Sequence, residues 1–521
     1  MAIFTFFNVA VSLTALLLSR RVYWEATTGA RQRAFKRQHG CLPPKRYVSR
    51  VPILGLDTMV KIFQAFSQHR IMDFWRGAMT DQHAHLMGFV ILGNELFLTD
   101  DPENVKAMLA TQFSTWSIGK QRMEQMSEFL GNGVFTTEGA AWKHSRDLIR
   151  PCFEKSQVAD FSILEDHTSQ LISRIPSDGS TIDLQPLFQD LALDIATEFL
   201  FGRSTHCLRP DHDEDVKKFI ASFEYCQQPQ ASDKPRRFKT LKVILSTFLP
   251  DRALKKHIKV VKDFADKIID SEITSRSSTS QSSSPPPSRY VFLDELLSQT
   301  TDRTVLRSEL LNILLAARDT TASLLSNVFF SLSRHPATLS RLRSEITSQI
   351  GSAQPTYQHL KDLKYLSAIL KESQRLYPIV PMNSRQALQD TTLPHGGGPD
   401  GQSPVFVPKG GLVAYHPYCM HRRPDIYGPD ADVFEPSRWM DNEHDSAPLR
   451  PGWAYLPFSG GPRVCIGQQF ALTEASYVVV RLLQTFGEVE SRDSEPWREK
   501  ITVVCTGLGG CKVGLKKGSA V

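Results

Sequence analysis

Phe458-Ser-Gly-Gly-Pro-Arg-Val-Cys-Ile-Gly467 is the stretch on which the interpretation of the whole sequence depends. Its single cysteine, Cys465, lies among glycines, a proline and an arginine, directly before a helical pattern over residues 468–486. Glycine lets the backbone approach a flat ligand closely, and the start of a helix favours the thiolate that binds metals. One cysteine cannot complete a closed zinc site. The stretch therefore predicts a metal already held by a macrocycle, with a buried cysteine in a glycine-rich turn as the alternative.

The spacing Phe-x-x-Gly-x-Arg-x-Cys-x-Gly is met by Phe458, Gly461, Arg463, Cys465 and Gly467. It resembles the haem-binding loop of the cytochrome P450 family. The resemblance implies a mainly α fold with small β-sheets, with Cys465 as axial ligand to the iron of haem b. It also implies that Phe458 packs near the sulfur and that Arg463 and Gly467 contribute to haem binding.

Composition and cysteine spacing exclude several other classes of protein. The chain has 521 residues, of which 41% are hydrophobic and 22% charged, so it can form a large core. Its net charge of +6 suits an acidic partner or a membrane surface, but does not favour nucleic acid. The eight cysteines contain no Cys-x-x-Cys pair, which argues against zinc ribbons and iron–sulfur clusters and fits reduced thiols in the cytosol.

The N-terminal segment is apolar over Ile3–Leu18 and is followed by Arg20-Arg21 and further basic residues. An uncleaved membrane anchor, a cleaved signal peptide and a buried helix are the alternatives, and the basic residues after the apolar run favour the anchor. We expect an anchor over 1–21, a basic linker with a proline hinge over 22–46, and the catalytic domain over 47–521. This predicts a single-pass protein of the endoplasmic reticulum membrane with its catalytic domain facing the cytosol.

Trp142 and Arg146 lie four residues apart, so they share one face of a predicted helix and can donate hydrogen bonds to one anion. Taken alone, such a pair is more often a core tryptophan and a solvated arginine. In the family that the cysteine loop resembles, this pair holds a haem propionate. The same resemblance assigns Arg385 and Arg463 to the propionates.

A long apolar helix is predicted over residues 304–332, with Asp319 and Thr320 in its middle. Buried polar groups are costly unless they are hydrogen-bonded or used, and threonine can bond back to a carbonyl one turn earlier. The segment resembles the oxygen-activating helix of the family, in which Thr320 and Asp319 would deliver protons. Ala317 stands where that family commonly has glycine. Polar residues that merely bend the helix are the alternative.

Glu372 and Arg375 are three apart and face the same way, with Arg438 further along the chain. Such spacing is common on protein surfaces and says little alone. The resemblance implies that the trio forms a buried ion network that locks the cysteine loop. His416 and His421 are expected to be packing or surface groups and not ligands.

Two further expectations concern the region before the long apolar helix: one is about the substrate pocket and the other about a surface loop. Helical patterns around Phe219–Tyr225 and Ile244–Phe248 are expected to include residues that roof it. The serine- and proline-rich stretch Ser275–Ser288 predicts a surface loop without core-forming residues.

The sequences of residues 133–146, 311–322 and 467–475 resemble those of the fungal P450 subfamily that hydroxylates n-alkanes and fatty acids, and those of its relatives in secondary metabolism. The resemblance implies a monooxygenase acting on a hydrophobic, long-chain aliphatic or polyketide-derived substrate. Electrons would come from NADPH–cytochrome P450 reductase, with cytochrome b5 as a further candidate partner. A haem-thiolate enzyme that rearranges peroxides without a reductase and a non-catalytic haem-binding protein are the alternatives.

Overall fold

The computed structural model describes residues 2–153, 161–210, 213–227, 252–279, 291–441 and 447–518. It confirms a mainly α fold with small β-sheets. The chain forms two compact units. The first unit comprises Met1–Val60, Trp75–Ser117 and Ser384–His416. The second comprises Lys61–Phe74, Ile118–Asn383 and Pro417–Val521.

The α-helices are the main elements of the fold, joined in places by short 3-10 and π-helical turns. In chain order they are Ala2–Trp24, Ala30–Gln38, Leu56–Ser67, Ile71–Asp81, Pro102–Lys106, Lys120–Leu130, Gly139–Ile149, Ser162–Arg174, Leu184–Phe201, Glu214–Gln227, Arg252–Thr279, Phe292–Gln299, Arg303–Leu332, Pro336–Gln349, Tyr357–Asp362, Lys364–Leu376, Pro417–Met420, Pro424–Tyr427 and Gln468–Thr485.

The strands form four small sheets. They are β1 (Lys45–Arg46), β2 (Leu86–Ile91), β3 (Asn94–Thr99), β4 (Trp116–Ser117), β5 (Asp178–Asp183), β6 (Asn383–Ala387), β7 (Thr391–Gly397), β8 (Ser403–Val407), β9 (Leu412–Tyr415), β10 (Phe486–Ser491), β11 (Glu499–Ile501), β12 (Cys505–Gly507) and β13 (Lys512–Lys517). The sheet orders are β1-β2-β3-β9-β6-β4, β10-β13-β5, β11-β12 and β7-β8.

In the first unit, the hairpin of β2 and β3 forms where alternating apolar residues flank a tight turn. Leu92 and Gly93 at that turn have φ of 50° and 77°, the left-handed region that glycine adopts most easily. The register places Leu86 opposite Thr99. The Asp101 side chain then accepts from the Asn104 amide at 2.9 Å and starts the helix Pro102–Lys106.

The second unit is built around the helix Arg303–Leu332, which we call the central helix. Its start is fixed because the Asp302 side chain accepts from the Thr304 amide at 2.8 Å. From Ser308 to Leu332 nearly every residue is buried, which accounts for the apolar pattern on all sides of the helix. The helix Leu184–Phe201 packs along it through Phe188 and Phe329, whose ring centroids are 5.6 Å apart.

The N-terminal segment begins with the helix Ala2–Trp24. None of the helices within the described ranges combines the length and the apolar character needed to span a bilayer. The predicted linker contains the helix Ala30–Gln38. Its proline segment is hydrogen-bonded to the β7–β8 hairpin: the Leu42 amide donates to the Pro404 carbonyl at 2.9 Å, and the Gly398 amide donates to the Pro43 carbonyl at 3.1 Å.

Phe219 and Phe223 are 1% exposed and belong to the hydrophobic core, because they lie on the inner face of the helix Glu214–Gln227. Which other residues around 219–225 roof the pocket stays a prediction. One expectation for the second unit needs correction. The helix Arg252–Thr279 extends into the predicted serine-rich loop as far as residue 279. Residues 244–248 and 280–288 lie outside the described ranges.

Candidate functional site: the cysteine loop and the central helix

The cysteine loop, Phe458–Gly467, is held by its own backbone. The Cys465 amide donates to the Phe458 carbonyl at 3.0 Å, which closes the loop. Gly461 has a φ of 67°, and the glycine of the motif supplies this left-handed conformation without strain. The helix Gln468–Thr485 starts immediately after the loop, as the sequence predicts.

Cys465 is exposed, whereas most other residues of the cysteine loop are half-buried. Of the eight cysteines, all of which the structure describes, Cys465 alone is exposed. Desolvation raises the pKa of its thiol, while the Gly467 backbone amide and the positive charge of Arg146 act to lower it. Because desolvation is the largest of these effects, the pKa is raised, and the expectation that the start of the helix favours the thiolate is wrong for the chain without a bound metal. A bound metal would displace the thiol proton and complete the change.

Trp142, Arg146 and Arg463 form a cluster beside the cysteine loop. The Arg463 and Arg146 guanidinium carbons lie 4.6 Å and 5.8 Å from the centre of the Trp142 ring. Arg146 also donates to the Val464 carbonyl at 2.9 Å, and Arg463 donates to the Thr137 carbonyl at 2.9 Å. The structure thus brings together three side chains that the sequence assigned to one anionic group.

Arg385 belongs to the first unit, on strand β6. It is 4% exposed, and its guanidinium carbon lies 5.7 Å from the centre of the Tyr415 ring. It donates to the Ser384 carbonyl at 2.8 Å. Its assignment to a propionate stays a prediction.

The ion network around Glu372 is present and buried. Arg375 donates to both carboxylate oxygens, through Nη2 at 2.7 Å and Nε at 2.8 Å. Arg438 donates to Oε1 at 3.0 Å, and the Trp439 indole donates to Oε2 at 2.9 Å. Both Glu372 and Arg375 are 0% exposed. This is a bidentate buried pair with its remaining hydrogen bonds satisfied, the arrangement in which a buried carboxylate is tolerated.

His421 connects this network to the cysteine loop, a role that sequence reasoning missed. Its carbonyl accepts from Arg375 at 2.8 Å, and its Nε2 accepts from the Leu456 amide at 2.9 Å, two residues before the loop begins. Burial lowers the pKa of His421 to about 3, so the ring stays neutral and can accept this bond. His421 is 0% exposed and is therefore a packing group, one of the two roles that the sequence predicted.

The central helix presents a face of small residues in its middle. Ala316, Ala317 and Thr320 are partly exposed within the otherwise buried run 308–332, and their spacing places them on one face. The Thr320 hydroxyl donates to the Ala316 carbonyl at 2.5 Å. The predicted bond from threonine to a carbonyl one turn earlier is confirmed.

Asp319 is 6% exposed and lies beside Arg318, whose Nη1 is 3.2 Å from Oδ1 of Asp319. Burial raises the pKa of Asp319, and the neighbouring arginine opposes that change. Arg318 in turn contacts Glu224 at 2.6 Å. The acid predicted from the sequence is therefore part of an ionic cluster that the sequence did not indicate.

These residues fit a flat, anionic, iron-bearing group. The Cys465 thiol is accessible, and the donors Trp142, Arg146 and Arg463 lie together next to its loop. The small side chains on the central helix leave accessible space in front of them. The donor set is that of a haem-thiolate protein.

Comparison with known proteins gives the same class. The family model described as cytochrome P450 matches residues 59–508. Cytochrome P450 monooxygenase himC of Aspergillus japonicus is 40% identical over 98% of this chain and 90% of the relative. Cytochrome P450 52A13 of Debaryomyces hansenii is 41% identical, over 89% of each chain. Cytochrome P450 52A1 of Candida tropicalis is 43% identical over 81% of this chain and 78% of the relative.

The chain belongs to the cytochrome P450 family of haem-thiolate monooxygenases. Its relatives are fungal P450s, which confirms the resemblance seen in the sequence. Its cofactor is haem, bound through a cysteine thiolate.

Proposed function

We propose that this P450 hydroxylates an unactivated carbon of a long aliphatic, fatty-acid-like or polyketide-derived chain. The observation that carries the proposal is the small-residue face at Ala316, Ala317 and Thr320, with the acid Asp319 next to it in the sequence. A threonine and a buried acid are the groups needed for proton delivery during oxygen insertion. The resemblance of residues 133–146, 311–322 and 467–475 to the fungal subfamily that hydroxylates n-alkanes and fatty acids supports an aliphatic substrate.

The site residues divide into those that would bind the haem and those that would deliver protons. Cys465 would hold the iron, and Trp142, Arg146, Arg385 and Arg463 would neutralise the propionates. When bound, the haem supplies the activation of molecular oxygen. Thr320 holds and passes protons through its hydroxyl, and Asp319 supplies them.

The remaining loop and network residues act on haem binding without touching the reacting atoms. The Gly467 amide lowers the pKa of the Cys465 thiol and would tune the basicity of its sulfur, and Phe458 would shield it. Glu372, Arg375 and Arg438 hold the loop and take no part in the chemistry.

Electrons would arrive at the face that carries the cysteine loop. A groove of about 240 Å³ there is lined by Phe458, Gln468, Lys361 and Lys371, among others. Both lysines are exposed, and their charge suits an acidic partner. NADPH–cytochrome P450 reductase is the proposed partner, and cytochrome b5 is a second candidate.

We also propose that residues 1–21 anchor the protein to the endoplasmic reticulum membrane, with the catalytic domain in the cytosol. The support is an exposed apolar surface on the helix Ala2–Trp24, where Leu16, Leu17 and Leu18 are more than 60% exposed, at 65%, 64% and 61%. Arg20 and Arg21 follow on the cytosolic side. Deletion of residues 1–21 should release the protein from microsomes, and unchanged attachment would contradict the anchor.

The function is tested by turnover with a panel of fatty acids and alkanes. Microsomes with the enzyme, its reductase, NADPH and dioxygen should yield hydroxylated product, and mass spectrometry would locate the new oxygen. Omission of NADPH should abolish the product. Product from a lipid peroxide without reductase or dioxygen would instead favour the peroxide-rearranging alternative, and a haem-loaded protein without any product would favour the non-catalytic one.

A further inference from the structure

Arg318, next to the acid on the central helix, holds two carboxylates at once. Its Nη2 lies 2.6 Å from Glu224 Oε1, and its Nη1 lies 3.2 Å from Asp319 Oδ1. The side chain of Arg318 is 3% exposed, and its Nε has no hydrogen-bond partner. Since neighbouring residues on a helix do not normally face each other, the contact between Arg318 and Asp319 shows that the arginine is turned toward the acid.

The last turn of the helix Glu214–Gln227 supplies the other contacts. Glu224 and Gln227 are three apart and face the same way. Glu224 binds Arg318, and the Gln227 side chain acts to lower the pKa of Asp319. Asp190, on the helix Leu184–Phe201, adds a further negative charge that acts on Arg318. The acid is thus held from its own helix and from the helix Glu214–Gln227.

The charges do not balance within this cluster. One cation faces two carboxylates in direct contact, so Glu224 and Asp319 compete for Arg318. Burial raises the pKa of Asp319, Arg318 lowers it, and the charge of Glu224 raises it. Removing Glu224 therefore lowers the pKa of Asp319 in two ways: it removes a negative charge near Asp319, and it leaves Asp319 as the one carboxylate in direct contact with Arg318 among the described residues.

We infer that Glu224 is a positioning residue for proton delivery, which acts through Arg318 to set the orientation and protonation of Asp319. The inference rests on the proposed role of Asp319. It ties the state of the acid to the position of the helix Glu214–Gln227, because the two helices share this arginine.

The test compares Glu224→Gln with Glu214→Gln, the same change at the exposed opposite end of the same helix. The haem spectrum and the amount of bound haem should be unchanged in both. In Glu224→Gln, the pH at which product formation changes should move down by about one unit, a tenfold change in proton affinity. The share of NADPH electrons released as hydrogen peroxide should rise at neutral pH, while Glu214→Gln should match the parent enzyme.

Arg318→Met should shift the pH profile of product formation in the direction opposite to that of Glu224→Gln. Without the cation the pKa of Asp319 should rise, so the inflection of the pH profile should move up. If this variant does not bind haem, Arg318→Lys replaces it, with a smaller upward shift expected because one contact is lost and the charge is kept. A purely structural ion pair would lower stability in all of these variants without moving the inflection.

Asp319→Asn separates this inference from the proposed function. If Asp319→Asn uncouples turnover but Glu224→Gln leaves the pH profile unchanged, the positioning role is wrong and the proposed function stands. If Asp319→Asn leaves turnover and peroxide release unchanged, the proposed role of Asp319 is wrong and the inference is overturned with it.

Discussion

Two arginine–carboxylate clusters lie within the second unit and differ in how their charges are matched. Around Glu372, two arginines and an indole donate to one carboxylate, and the pair Glu372 and Arg375 is fully buried. Around Arg318, one arginine faces two carboxylates, its Nε lacks a partner, and the Glu224 side chain is 43% exposed.

The difference indicates what each cluster is for. A buried network with every group hydrogen-bonded specifies one arrangement and resists change, which suits the support of a metal-binding loop. An under-satisfied cluster with one member reaching solvent can change its protonation, which suits proton delivery. We therefore expect changes around Glu372 to affect stability and haem retention, and changes around Asp319 to affect turnover.

The largest effect is expected from Glu372→Met. It leaves Arg375 buried without its carboxylate, which costs about 3–5 kcal/mol, so urea unfolding should shift and haem should be lost on gel filtration. The double variant Glu372→Met with Arg375→Met is the control, because it leaves no unpaired charge and should be more stable than the single variant. A single variant within about 1 kcal/mol of the parent would contradict the structural role.

Thr320→Val removes the hydroxyl and keeps the shape of the side chain. Product formation should fall about 100-fold, while the haem spectrum stays and stability changes by about 1 kcal/mol from the lost bond to Ala316. Thr321→Val is the matched control, since Thr321 is 2% exposed and is not on the face of Ala316, Ala317 and Thr320. Equal activity in the two variants would remove Thr320 from proton delivery.

His421 should make stability depend on pH. Its pKa is about 3 in the folded protein, against an ordinary 6.5. Between these values only the unfolded chain binds the proton, so stability rises with pH by about 1.4 kcal/mol per unit and is fully present above about 6.5. Urea unfolding at several pH values should show a shallower slope in His421→Gln than in the parent. The exposed His144, changed to Gln, should leave the slope unaltered.

The smallest effect is expected from Asp430→Asn. Asp430 contacts Arg438 at 3.0 Å but is half exposed, at 50%, so solvent screens the pair. The loss should be below about 1 kcal/mol and should vanish in high salt. A loss as large as that of Glu372→Met would mean that the exposed edge of the network matters as much as its core.

The parts of the site that could be predicted from the sequence are those whose residues are close together in the chain. Cys465 and its glycines, the pair Trp142 and Arg146, and the back-bonded Thr320 could be predicted because each motif spans one turn or one loop. The Glu372 network joins residues 66 positions apart, and it could be assigned only through the family resemblance.

What the sequence missed depends on tertiary packing. His421 looked like an ordinary histidine, and its bond to Leu456 becomes visible only when the loop is folded. Glu224 is 94 positions from Arg318. Helical periodicity shows which residues share a face but not what the face contacts. For this reason the sequence did not show which residues around 219–225 belong to the core, as Phe219 and Phe223 do.

The central claim, that Cys465 holds the haem iron, is tested most directly by the carbon monoxide difference spectrum of reduced Cys465→Ser. Cys41→Ser is the control, since Cys41 lies in the first unit outside the loop. We expect the thiolate-type band to disappear in Cys465→Ser and to persist in Cys41→Ser. A thiolate-type spectrum that is unchanged in Cys465→Ser would contradict this claim.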